Sequence, residues 1–381
     1  MDQASKKILS LILIGLSLSC GSIAKASARD RTPVKPKHSF ISGHWVVKLK
    51  QNSYFNRRPF QFASPTVSGD QVFVGVHREI FYGVDAKKGK KIWQFRAQGP
   101  IHAAAAVSDD AVYFADTKGT VYALEKKSGK PIWLSKVDGP VLSKPFIAGD
   151  KLYIVTLTKE LSCFDRKEGK LLWQENSSVR DSGFTIQGSA DPIAVGPFLL
   201  VGYSDGSLVA HRLENGKVGW SKQLGDSFEE FHDVDSTPFI AQDEKNTTVY
   251  VSSADGKLFA FNPQNGAVVW EAPIGGVNDA VVADSFLYVT AGGVVYCLQA
   301  KNGQTLWEQD LQLPEISSPA VYKDWIVVAA TKGRAYFLDR KNGDILYSWY
   351  VRGGSYSDPV VDGNQVFILS NAARLYSFQF R

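Results

Sequence analysis

Short runs of β-branched and aromatic residues alternate with glycine-centred breaks along nearly the whole chain. One stretch shows the pattern: residues 112–115, a break at Lys118-Gly119, residues 121–124, a second break over 126–129, and a run ending on Trp133. Apolar runs of this length bounded by turn residues predict strands. The first break predicts a tight hairpin, where glycine supplies positive φ without a steric cost. It recurs at Asp205-Gly206, Asp255-Gly256, Gly292-Gly293 and Lys332-Gly333. A further strand is predicted ahead of these three, opened by Pro65, Pro145, Pro192, Pro238, Pro319 and Pro359 in most units. The distance from proline to closing aromatic is 28 residues in four units, and 32 in the unit that carries the extra stretch 243–248.

The closing aromatic follows a glycine by four residues in seven places: Gly89/Trp93, Gly129/Trp133, Gly169/Trp173, Gly216/Trp220, Gly266/Trp270, Gly303/Trp307 and Gly343/Tyr347. The aromatics are spaced 40, 40, 47, 50, 37 and 40 residues apart. A four-stranded unit with that period is the signature of a propeller. Seven units are complete. An eighth starts at Pro359 and stops before its aromatic strand, and the missing piece stands at the other end as Trp45-Val46-Val47-Lys48-Leu49. The expected fold is therefore all-β: an eight-bladed β-propeller of four-stranded antiparallel blades, closed by the N-terminal strand completing the C-terminal blade. The recurring tryptophans are expected to pack between neighbouring blades, since each holds one position of the unit.

Departures from the repeat are where function can be grafted. The ordinary connection from aromatic to next proline is 12 residues, whereas 45→65, 173→192 and 220→238 take 20, 19 and 18. The last two flank the fourth blade and should emerge on one face as a contiguous raised patch. They carry Phe184, Ile186 and Gln187, and Phe228, Phe231, Asp233 and Asp235. Apolar and acidic side chains together on protruding loops suggest a protein-binding surface, or loops that merely cover their own apolar residues.

Residues before 44 form a separate module. Lys6 and Lys7 precede an apolar stretch over 8–18, which reads as an export signal over 1–19 and is too short for a permanent membrane helix. Cleavage before Cys20 would leave a cysteine for lipidation, with 20–43 as an anchored linker and 44–381 as the propeller. Cleavage after Ala28 would release a soluble protein. The net charge of +5 in 381 residues contains no Lys/Arg run longer than two, which leaves nucleic-acid binding without an electrostatic footprint. Cys163 and Cys297 share, three units apart, a unit slot where other units place Ala123, Ala210 or Ala260, so two small buried residues are expected rather than a disulfide. The six histidines show no metal-ligand spacing. Asp85, Asp165 and Asp339 recur at one position as turn formers. No catalytic constellation and no cofactor motif emerges, so the chain is not expected to be an enzyme.

The repeat wording Gly-x-Val-Tyr-Ala-Leu-x4-Gly-x3-Trp resembles that of quinoprotein dehydrogenases. In those enzymes a vicinal cysteine pair and a Glu/Asn/Asp calcium site serve a quinone cofactor, and this chain has no adjacent cysteines. A closer resemblance is to the BamB family, lipoprotein subunits of the Bam complex that inserts barrel proteins into the bacterial outer membrane. It covers essentially the whole mature chain. It rests on His232-Asp233-Val234-Asp235-Ser236-Thr237-Pro238, on Gly275-Gly276-Val277-Asn278-Asp279, and on Phe184-Thr185-Ile186-Gln187-Gly188. The resemblance implies a periplasmic scaffold lipidated at Cys20 and docked on the POTRA domains of BamA, assisting unfolded barrel precursors. It assigns the contact to Phe184, Ile186, Gln187, Asp233 and Asp235. The family pattern is leucine-rich with an arginine where this chain has Gln187, so a charge-assisted contact would be lost. A propeller adaptor or sensor for another envelope partner and a quinoprotein dehydrogenase are the alternatives.

Overall fold

The computed structural model describes residues 41–49, 60–176, 190–203, 206–224, 239–242, 247–253, 256–278 and 280–381. All of them belong to one compact unit, 35–381. Every regular element among the described residues is a strand, and the strands form eight four-stranded antiparallel sheets. Blade 2 stands for the rest, with strands Ala106–Val107, Ala111–Ala115, Thr120–Glu125 and Pro131–Lys136 in that order from the axis outward. Seven blades use consecutive strands. The eighth is ordered Ile41–Lys48, Arg374–Phe380, Gln365–Ser370, Val360–Asp362. The N-terminal strand thus completes the C-terminal blade, paired from Ile41 against Phe380 to Lys48 against Arg374. It begins three residues ahead of the expected boundary at 44, and Ile41 is buried there. The innermost strand of blade 1, Thr66–Ser68, touches its counterparts in both blade 8 and blade 2, so the ring is shut.

Two middle strands of each blade are buried on both faces, as in Ala111–Ala115 and Thr120–Glu125, because the neighbouring blades cover them. That explains why these segments read as continuous apolar runs rather than as alternation. The first hairpin takes positive φ in every blade. Glycine supplies it at Gly119 (φ 73°), while blades 1, 3 and 8 use Glu79, Lys159 and Ala373 at 65°, 64° and 48°. Each of these non-glycine residues stores roughly 1–2 kcal/mol of strain.

The tryptophans lock blade to blade. Trp133 of blade 2 lies on Gly169 in the outer hairpin of blade 3, and a Cβ there would sit 2.4 Å from the indole ring. Its Nε1 donates to the Arg166 carbonyl in the same hairpin at 3.0 Å. The same lock joins Trp45 to Gly89, Trp93 to Gly129, Trp173 to Gly216, Trp220 to Gly266, Trp270 to Gly303 and Trp307 to Gly343. Behind each ring the adjacent strand provides a small residue: Gly83, Ala123, Cys163, Ala210, Ala260, Cys297 or Ser377. Both cysteines are buried and free, and burial pushes their thiols up to about 11.

The one exception explains itself. The last two strands of blade 8 come from distant parts of the sequence, so no hairpin joins them and no hairpin glycine faces the closing aromatic of blade 7. That blade carries Tyr347 instead, and the slot behind it holds the bulky Phe337. Trp349, two residues on, covers Gly43 and packs edge-on to Phe378 at 5.6 Å.

A β-bulge beside the aromatic interrupts the outermost strand of every blade, between Ala123 and Leu124 of its partner strand in blade 2. The extra residue, Ile132 there and Ile92, Leu172, Val269 or Leu306 elsewhere, is left facing solvent. The bulge lets the indole tuck sideways, and it roughens an outer edge that would otherwise pair with other chains.

Replacing Trp133 by alanine removes a large buried aromatic and strips the Arg166 carbonyl of its donor. A loss of about 3–5 kcal/mol in denaturant unfolding is expected; a loss under about 1 kcal/mol would contradict the lock. Deleting residues 41–48 leaves blade 8 with three strands, and the protein should then elute as aggregates in size-exclusion chromatography. Unchanged elution and melting would show that closure is dispensable.

Candidate functional site

The outermost strand of each blade runs into a connection that crosses to the innermost strand of the next. In six blades its first residue is pinned to the inner hairpin by a backbone hydrogen bond: Ala97 to Glu79, Val137 to Gly119, Leu224 to Gly206, Leu311 to Gly293, Val351 to Gly333 and Leu49 to Ala373, at 2.7–3.0 Å. These connections therefore leave on one face, including those that begin the long segments after Leu49 and Leu224. Phe184, Ile186, Gln187, Asp233, Asp235 and Cys20 lie outside the described residues. Of the two long connections flanking blade 4, only the roots are described: Asn176, Ala190, Asp191 and Leu224.

The far ends of the connections ring the channel mouth, and there blades are latched by side chains. Asp191 of blade 4 accepts from the Lys144 backbone N–H of blade 3 at 2.6 Å. Asp358 of blade 8 accepts from the Ser318 N–H of blade 7 at 2.9 Å and from the Ser64 hydroxyl of blade 1 at 3.0 Å. The Ser64 oxygen in turn accepts from the Asp358 N–H at 2.9 Å, across the seam of the ring. Desolvation pushes the Asp191 carboxyl up, and the Lys144 N–H pulls the other way.

Inside this rim lies a cavity of about 570 Å³, lined among others by Phe62, His102, Lys144, Asp191, Glu315 and Tyr356. His102 Nε2 and His77 Nδ1 are hydrogen-bonded at 2.8 Å, their rings stacked at 5.0 Å. Burial, and then the charge of His77, hold His102 down to about 4. Burial also lowers His77, helped by Arg78 and opposed by Glu79. The remaining polar groups that stood out in the sequence are structural. Asp85, Asp165 and Asp339 each cap backbone N–H groups two or three residues on, as turn formers do. Buried His211 is held between the Tyr203 hydroxyl and the Gly216 carbonyl.

The residues do not fit a quinone cofactor of the dehydrogenase kind. Cys163 and Cys297 stand singly behind tryptophans of blades 3 and 6. Among the described residues no three His, Cys, Asp or Glu side chains converge as a metal-ligand set.

A family model described as outer membrane protein assembly factor BamB matches residues 77–294 and 291–381. The chain belongs to the BamB family. Relatives of the same name include one from Legionella pneumophila, 29% identical over 143 residues, covering 36% of each chain. Another, from Escherichia coli, is 28% identical over 151 residues, covering 38% of each. These alignments thus span under two-fifths of the curated relatives. The crystal structure of BamB from Moraxella catarrhalis superposes with a TM-score of 0.77 at 19% identity, over 89% of this chain and 100% of that one. A europium-containing methanol dehydrogenase superposes with a TM-score of 0.75 at 13% identity, over 90% of this chain and 93% of that one. At these identities the superpositions speak to the fold, which BamB proteins and quinoprotein dehydrogenases share.

Sequence reasoning missed the aromatic cluster on this face. Counted six residues back from the innermost strand, five blades have Pro100, Pro140, Gly275, Pro314 and Gly354, whereas blade 1 has Phe60. A large aromatic where other units turn on proline or glycine was the available signal.

The histidine pair sets a pH dependence. A histidine held below its unfolded value of about 6.5 stabilises the fold fully above that pH. The contribution is lost as the pH falls from 6.5 toward 4, on the order of 1–2 kcal/mol after discounting for partial solvent exposure. Stability measured across this window should decline in the parent and less in His102→Gln; parallel curves would remove the pair as the cause.

Proposed function

We propose that this chain is a non-enzymatic scaffold subunit of the outer-membrane β-barrel assembly complex, docking on the POTRA domains of BamA and assisting insertion of barrel proteins. The observation that carries this reading is the family match, which extends over most of the propeller. The relatives bearing the name are assembly factors, and the residues around the channel are spent on latching blades rather than on holding a cofactor.

On this reading the docking surface is the pair of long connections flanking blade 4. Phe184 and Ile186 supply an apolar centre, Asp233 and Asp235 an acidic rim, and Gln187 a neutral contact. Interfaces draw most of their energy from a few such central anchors. The apolar centre would be rimmed by carboxylates that favour a basic partner surface and steer encounter. Lipidated Cys20 and the linker over 20–43 would hold the propeller at the periplasmic face of the outer membrane, near its partner.

A Phe184→Ala/Asp233→Ala double substitution should abolish co-purification with BamA from solubilised envelopes and leave the melting curve unchanged. Co-purification at the parental level would remove the site assignment.

A further inference from the structure

The strongest unassigned feature lies across the ring from blades 4 and 5, where blades 8, 1 and 2 meet. Phe60 and Phe62 are 52% and 44% exposed, unusual for two neighbouring aromatics on a described surface. They form a continuous platform with Tyr356 of blade 8: Phe60 meets it edge-on at 4.9 Å and Phe62 lies tilted against it at 5.6 Å. Phe62 also packs on His102 of blade 2 at 5.3 Å. The platform is held from beneath. Gln61 between the two phenylalanines is buried, accepts from the His77 N–H at 3.0 Å through its side chain, and donates its own N–H to Asn371 of blade 8 at 3.3 Å. Burying Gln61 forces its neighbours Phe60 and Phe62 outward, as alternation along an extended segment requires.

The platform opens directly into the 570 Å³ cavity, whose lining among the described residues carries three carboxylates, Asp191, Glu315 and Asp358, and one ammonium, Lys144. Glu315 stands at the lip: burial pushes the Tyr356 phenol up and the nearby Glu315 charge adds to it, while desolvation pushes Glu315 itself up. A ligand that satisfied this surface would need an apolar group for the exposed rings and a cation for the acidic mouth beside them. Successive residues of an extended polypeptide supply both at that spacing, and aromatic faces also attract cations.

We propose that the aromatic lip of Phe60, Phe62 and Tyr356, together with the acid-lined channel mouth, binds an extended peptide segment carrying an aromatic or aliphatic residue next to lysine or arginine. Its aromatic half belongs to blades 8, 1 and 2, whereas the long connections proposed to dock on BamA flank blade 4.

The test uses the full mature chain and fluorescein-labelled peptides read by anisotropy. The peptide Gly-Ser-Phe-Arg-Phe-Ser-Gly should bind at least tenfold more tightly than its Phe-Glu-Phe and Ser-Arg-Ser counterparts. Phe60→Ala/Phe62→Ala should lose at least tenfold. Glu315→Gln should narrow the preference for arginine over glutamate severalfold and flatten its salt dependence. All these side chains are exposed, so melting should be unaffected, and co-purification with BamA should persist in both variants. Equal binding of the three peptides, no binding of any, or parental affinity in the double variant overturns the proposal.

Discussion

A tryptophan laid flat on a glycine of the next blade is the interaction on which this molecule depends. It joins three constraints in one place. The hairpin glycine must have positive φ, so it carries no Cβ; the absent Cβ leaves room for an indole; and the indole N–H then reaches a hairpin carbonyl that would otherwise be left without a donor. Because each lock links only adjacent blades, stability accumulates around the ring as a chain of neighbour terms. Such a chain has two exposed ends unless it closes. Pairing of Ile41–Lys48 with Arg374–Phe380 removes both ends, and it brings Trp45 to Gly89 so that the lock continues through the seam. The cost of that solution appears in blade 7, where Tyr347, Phe337 and Trp349 repack a site that has no hairpin to hold.

At the axis a different chemistry performs the same task. The innermost strands are short, two to four residues each, and backbone N–H groups at the ends of the connections take partners from the next blade. Asp191, Asp358 and Ser64 supply them. This polar ring differs from the apolar locks at the rim in its dependence on surroundings. Its carboxylates sit in a desolvated mouth, and the cavity they line is acidic as a result. A scaffold requirement thereby creates an electrostatic feature that a ligand could use.

Six of the connections between blades leave on the face that bears this mouth, since each is pinned at its start to an inner hairpin. That geometry makes one face of the disc variable and leaves the rest of the molecule to the repeat. Long connections around blade 4 and the aromatic segment before blade 1 are departures of the same kind in different blades. Counted along the unit, Gln187 and Asp233 fall at the position that Phe60 occupies in blade 1.

Glycine and tryptophan positions sufficed to count the blades, place the turns and find the closing strand, because each lock demands particular residue types at a set spacing and neither tolerates substitution by bulk or charge. The same logic made Cys163, Cys297 and Asp165 readable as packing and turn residues rather than chemistry. Family membership, too, lay in non-repeat wording such as Asp233-Val234-Asp235. What no spacing could reveal was which side chains from distant units converge: that Phe60 and Phe62 meet Tyr356 nearly three hundred residues away, that His77 is hydrogen-bonded to His102, or that Asp358 spans the seam to Ser64. Those encounters depend on ring closure, which sets residues from opposite ends of the chain side by side; their proximity is a property of the closed circle and is written in no single unit.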